Sequence, residues 1–99
     1  MSQFLSSGDL AADRRYLWAE ASRAEGDWQA AAELFAQAVE LAPDWASGWY
    51  ALGDALLRIS QRQPAQDAFR RCRALDPGDM LGAGLRLAHA LRLLVGLAL

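Results

Sequence analysis

The sequence predicts an all-α protein made of repeated helical hairpins, and three observations carry that prediction. Ala31, Phe35, Ala38 and Pro43 recur as Ala65, Phe69, Cys72 and Pro77, each 34 residues further on. The segment endings also correspond, Val39-Glu40-Leu41-Ala42-Pro43-Asp44 against Arg73-Ala74-Leu75-Asp76-Pro77-Gly78. Between these endings the apolar residues recur at intervals of three and four, which places them on one side of a helix. A fixed period in this range marks a solenoid of one repeated supersecondary unit, and such architectures serve binding.

Each element follows from local signals. Residues 1–8 read as a loose N-terminal arm. Asp9 is placed to cap a first helix over about 10–25. Gly26 suits the left-handed position that ends it, and Asp27 caps the next helix, about 28–41. That second helix carries Ala31, Leu34, Phe35, Ala38, Val39 and Leu41 on one face. Pro43-Asp44 ends it and caps a third helix, about 45–60, lined by Trp49, Leu52, Gly53, Leu56 and Leu57. After a break at 60–63, Pro64 fits the first turn of a fourth helix, where its missing N–H is harmless. Asp76-Pro77-Gly78-Asp79 closes this unit, and Asp79 is placed to cap a fifth helix over about 80–98.

Composition narrows the functional classes. Ninety-nine residues make one small domain. The formal net charge of −2 argues against nucleic acid, which requires a basic face. All ten basic residues are arginine, read as coding bias rather than mechanism. A single cysteine, Cys72, excludes an internal disulfide and reads as a small buried residue. No leader segment is visible at the start, so the expected location is cytoplasmic.

These residues resemble the tetratricopeptide repeat, whose pattern is Trp-x2-Leu-Gly-x2-Tyr, then a small residue, an aromatic and a Pro. Residues 46–79 keep Trp49, Leu52, Gly53, Ala65, Phe69 and Pro77, with Leu56 in the Tyr position. Residues 12–45 keep Gly26, Ala31, Phe35, Ala38 and Pro43, with Arg15 in the Trp position and Trp18-Ala19 in place of Leu-Gly. The resemblance implies a right-handed α-solenoid of two repeats over residues 9–79 and a capping helix over 80–99, five helices in all. The small residues Ala19, Ala31, Ala38, Gly53 and Ala65 then stand where the two helices of a hairpin approach closely. Trp18 and Trp49 fall on core-facing positions, and Trp28 and Trp45 near hairpin turns.

A second, narrower resemblance is to bacterial proteins that join such repeats to an S-adenosylmethionine-dependent methyltransferase. It is carried by the opening Ser6-Ser7-Gly8-Asp9-Leu10-Ala11-Ala12-Asp13-Arg14-Arg15 and by the stretch Leu75-Asp76-Pro77-Gly78-Asp79-Met80-Leu81-Gly82-Ala83-Gly84-Leu85-Arg86-Leu87-Ala88. These 99 residues contain no glycine-rich loop after a strand, so no catalytic residue and no cofactor site carries over. The resemblance implies an interaction module that presents a substrate to such an enzyme or regulates it.

In the tetratricopeptide family the first helix of each repeat lines a concave groove. The resemblance thereby implies Asp13, Tyr16, Glu20 and Arg23 as groove residues from the first repeat. From the second it implies Ser47, Tyr50, Asp54, Leu57 and Arg58, with Trp45 within reach. Tyr16 and Tyr50 are equivalent, as are Glu20 and Asp54. An aromatic pair with a matched acidic pair suits a peptide carrying basic residues; the alternative is a solvated surface on a short solenoid. The family's carboxylate clamp needs Lys and Asn where Tyr16 and Glu20 stand, which argues against acidic tails as ligands.

Arg70, Arg71 and Arg73 read as a solvated convex face. His89 has no Cys, Asp or Glu beside it in sequence, so no metal site is expected. From residue 80 to 99 only Arg86, His89 and Arg92 interrupt an apolar run among the larger side chains. Two arginines would each cost about 2.5–3.5 kcal/mol at mid-bilayer, so no membrane span is expected. The stripe Leu81, Leu85, Ala88, Leu91 and Val95 suffices to cover the second repeat. Leu87, Leu93, Leu94 and Leu97 lie on other faces and suggest self-association, a homodimer through this helix. The expected function is thus a non-catalytic protein–protein interaction module. The alternatives are the methyltransferase-linked module and a self-assembling unit.

Overall fold

The computed structural model describes residues 6–88, and these are helical with no strand among them. Helices α1 (Leu10–Ala24) and α2 (Trp28–Leu41) pack together, as do α3 (Ala46–Arg58) and α4 (Arg62–Leu75). The two hairpins meet through α2 and α3. Residues 83–88 are helical again.

Local chemistry sets the helix ends in the first hairpin. The Asp9 side chain accepts from the Ala12 N–H at 3.0 Å, and that of Asp27 from the Ala30 N–H at 3.1 Å. Each satisfies one of the four N–H groups that a helix start leaves without an intrahelical partner. Gly26 takes φ 81°, the left-handed conformation that glycine adopts without steric cost.

Small residues let the helices of each hairpin close on one another. Ala12, Ala19, Ala31 and Ala38 are fully buried between α1 and α2, and Ala65 and Cys72 between α3 and α4. Phe35 and Phe69 fill the remaining space and are themselves fully buried. Burial of each ring contributes roughly 1.5–3 kcal/mol. Gly53 is required by this closeness: a Cβ there would stand 2.8 Å from the Phe69 ring. Val39, Leu52 and Ala55 join α2 to α3 in one apolar cluster.

Several expectations are corrected. The N-cap of α3 is Trp45, which makes no side-chain cap bond, and Asp44 is not the cap. This helix ends at Arg58, before Ser60 takes φ 63°. Residues 6–8 are not a loose arm. Ser6 Oγ, Ser7 N–H and Ser7 Oγ all donate to the Asp13 carboxylate, at 2.8, 2.9 and 2.6 Å. Trp18 is not in the core but 48% exposed, whereas its 34-residue counterpart Leu52 is buried. The reason is positional: α2 lies against the Leu52 side of α3, and among the described residues α1 packs mainly on α2. The Arg15 guanidinium lies 5.0 Å from the Trp18 ring and partly covers it. Trp45 is the reverse, 4% exposed in a slot between Ala12, Ala38 and Ala42.

The C-terminal segment starts later than expected and shows a different face. Residues 80–82 are not helical, and Asp79 itself has φ 52°. Two carboxylates shape the turn: Asp76 Oδ2 accepts from Leu81 N–H at 2.9 Å and Asp79 Oδ1 from Gly84 N–H at 3.1 Å. As a result Ala83 is buried and Leu87 packs on the second hairpin, while Leu85 and Ala88 face outward. Leu87, expected to be surplus, is a packing residue, and Leu85, expected to cover the repeat, is 77% exposed. Leu91, Leu93, Leu94, Val95 and Leu97, with His89 and Arg92, lie outside the described residues. No helix among the described residues is long and apolar enough to cross a membrane.

Candidate functional site

Tyr16, Glu20 and Arg23 follow one another at intervals of four and three along α1, so they share a face. Tyr50 and Asp54 repeat the first of these intervals on α3. The structure brings all five together around one concavity of about 210 Å³, floored by Phe35 and Ala51. Phe35 and Ala51 were missed by sequence reasoning, since a floor residue is defined by what surrounds it.

The aromatic residues are locked from below. Tyr16 meets Phe35 edge-on at 5.1 Å, and Tyr50 meets Phe69 in the same way at 5.6 Å. Tyr16 also leans on Trp45, with centroids 4.7 Å apart. Such pairs contribute about 0.5–1.5 kcal/mol beyond the area they bury and fix ring orientation. Burial pushes the Tyr16 hydroxyl up to about 12, and the adjacent Glu20 carboxylate adds to this. The hydrogen bond between the Tyr16 hydroxyl and Glu20 contributes in the same direction, so the protonated hydroxyl serves as a donor to that carboxylate.

Both carboxylates are already engaged. Glu20 Oε2 accepts from Arg23 Nε at 2.9 Å and Nη2 at 2.5 Å, and this bond raises the Arg23 guanidinium above its ordinary value. Asp54 Oδ1 accepts from Arg86 Nη2, a contact between positions 32 residues apart. Arg86 was not foreseen as a site residue. Its signal was present, because a charge inside an apolar run demands a partner.

The remaining expected residues lie elsewhere. Asp13 is consumed by Ser6 and Ser7, whose hydrogen bonds, first that of the Ser7 hydroxyl, hold its carboxyl below the usual range. It lines, with Tyr16, Leu17 and Trp45, a neighbouring concavity of about 280 Å³. Trp45 presents no exposed ring to the groove. Leu57 packs toward the second hairpin's core. Arg58 turns to Trp28, its guanidinium 4.8 Å from that ring. Ser47 is buried. Another concavity, of about 350 Å³, lies over Ala32, Ala36, Leu52, Leu56 and Ile59 and brings together none of the predicted residues.

The one cysteine of the sequence lies outside the concavity that Tyr16 and Tyr50 line. Cys72 is buried, and burial, with Asp76 and Asp79 nearby, pushes its thiol up to about 11, away from the reactive thiolate. Among the described residues no three His, Cys, Asp or Glu side chains gather as a metal site would require. The concavity presents two tyrosines, each backed by a phenylalanine ring, and two carboxylates. No family model matches this chain, and no curated protein is detectably similar to it.

Proposed function

We propose that this chain is a non-catalytic interaction module of the tetratricopeptide type, a right-handed solenoid that binds a peptide or protein segment along its concave face. One observation carries the reading. Tyr16 and Glu20 on α1 and Tyr50 and Asp54 on α3, equivalent across the 34-residue period, line a single concavity. An aromatic anchor backed by a second ring loses little side-chain freedom on binding, which favours affinity per contact. The carboxylates add selection for basic residues.

The test is panning of a random peptide library displayed on phage against wild type and Tyr50→Ala. Enrichment of arginine- or lysine-containing peptides that Tyr50→Ala no longer retains supports the reading. Enrichment unaffected by Tyr50→Ala and by Glu20→Ala overturns it.

A second reading, self-association through the C-terminal segment, draws on Met80 and Leu85, which are 78% and 77% exposed. Light scattering on wild type and Leu85→Glu separates it: a dimer that the substitution converts to monomer supports it, and a wild-type monomer at high concentration removes it.

A further inference from the structure

We propose that Arg86 is an internal stand-in for an arginine of the partner: the concave face reads a guanidinium, and the chain's own Arg86 holds one of its two carboxylates until a partner's arginine displaces it. The inference rests on the reading of the concavity as the partner site, and it names that partner's chemistry and the regulation of the site.

The two carboxylates of the concavity are equivalent by the repeat, and each is met by a guanidinium. Their origins differ. Arg23 stands three residues from Glu20 on the same helix and is exposed, so its pair is local and readily exchanged. Arg86 comes from a separate segment, 32 residues from Asp54, and its pair is more enclosed, with the two side chains 31% and 26% exposed. The Arg86 guanidinium also lies 6.0 Å from the Phe69 ring, the ring that backs Tyr50. A carboxylate with an aromatic face beside it is what a planar, delocalised cation fits and a compact ammonium fits less well.

Arg86 is an incompletely satisfied occupant. Its Nε is buried and has no partner among the described residues. Arginine carries five donor hydrogens in a rigid fork, and among the described residues Arg86 bonds Asp54 through Nη2 alone. An incoming arginine able to use more of its fork competes favourably for Asp54. The segment that delivers Arg86 is shallowly seated: Ala83 and Leu87 face the second hairpin, while Leu85 and Ala88 face solvent. Its release would uncover part of the cluster of Ala65, Phe69 and Cys72 that Ala83 and Leu87 help to bury, a loss that the partner's own contacts must offset. The consequence is a tax on affinity: a site that is free only part of the time binds more weakly by that fraction.

The experiment titrates a blocked pentapeptide, acetyl-Gly-Arg-Gly-Arg-Gly-amide, and its citrulline counterpart into the 99-residue chain, following NMR shifts of Tyr16 and Tyr50. Arg86→Ala and Arg86→Gln are both made, the second to keep a hydrogen-bonding group beside Asp54. The expected result is roughly tenfold tighter binding of the arginine peptide by both variants, as removal of a competitor that fills the site about nine-tenths of the time requires. Adding Asp54→Asn removes the gain, and the citrulline peptide shows none. In wild type, saturation with the arginine peptide accelerates amide exchange over residues 83–88. Equal or weaker binding by both Arg86 variants overturns the proposal, as does a gain that survives Asp54→Asn or unchanged exchange over 83–88. Capture of arginine-free peptides that Tyr50→Ala abolishes would keep the concavity as the partner site while overturning the stand-in role of Arg86. Binding of no peptide by any variant overturns both.

Discussion

At the turn between α1 and α2 the left-handed residue is Gly26, and the side chain of Asp27 then caps α2. At the equivalent turn between α3 and α4 the left-handed residue is Ser60, and Gln61 stands at the cap without a side-chain bond. The interiors differ in the opposite sense. Ala19 packs against α2 with its methyl group accommodated, whereas its counterpart Gly53 has no room even for a Cβ beside Phe69. The first hairpin is thus shaped well at its ends and the second is drawn tightest at its centre. The same repeat unit can place its stabilising interactions in different parts, provided that the Phe ring and its small neighbours remain.

The largest test of that contrast is removal of each ring. Phe35→Ala and Phe69→Ala should each cost about 3–5 kcal/mol in urea denaturation, with Phe69→Ala the worse. Its cavity would face Gly53, which has no side chain to relax into it, whereas that of Phe35→Ala faces Ala19. Equal costs would mean that the tight centre of the second hairpin is not energetically distinct.

Next in size is the central contact itself. Gly53→Ala should destabilise by about 1–3 kcal/mol through overpacking against Phe69. Phe69→Leu in the same chain should recover part of that loss. An unchanged melting temperature for Gly53→Ala would remove the close approach on which the comparison stands.

The turns should respond more modestly and with opposite signs. Asp27→Ala removes a working cap and should cost about 1 kcal/mol, while Gln61→Asp supplies one and should stabilise by a similar amount. Ser60→Gly relieves a left-handed residue and should stabilise by roughly 1 kcal/mol, less the extra freedom glycine has when unfolded. Together these changes should bring the second turn to the quality of the first, read as a rise in melting temperature.

An effect confined to alkaline pH, and absent at neutral pH, is expected on the first hairpin's face. The Tyr16 hydroxyl titrates at about 12 in the folded chain against an ordinary 10.0. The folded state therefore favours the protonated form. The stability this provides is complete below pH 10 and is lost as the pH rises toward 12. Tyr16→Phe should flatten that part of the stability profile, measured by urea midpoints at pH 9 and 11.5.

Much of the fold was legible because its signals are local. Asp9, Gly26 and Asp27 act on N–H groups and dihedral angles within three residues of themselves, and the structure places them as their chemistry requires. Asp44 misled for a related reason: an acidic residue after a proline has cap chemistry, but the chain enters α3 one residue later, at Trp45. The α1 part of the site, Tyr16, Glu20 and Arg23, was legible because helical spacing puts these residues on one face. The α3 part needed the repeat period in addition.

Composition, period and capping residues thus settled on their own an all-helical chain, its four complete helices to within a few residues, and the equivalence of Tyr16 with Tyr50 and Glu20 with Asp54. These follow from interactions between near neighbours. Packing alone decided that Trp45 is buried and Trp18 exposed, that Leu87 turns inward and Leu85 outward, and that Asp54 finds Arg86. Each of those outcomes depends on which surface another helix covers, and a helical periodicity specifies a face without specifying what comes to lie against it.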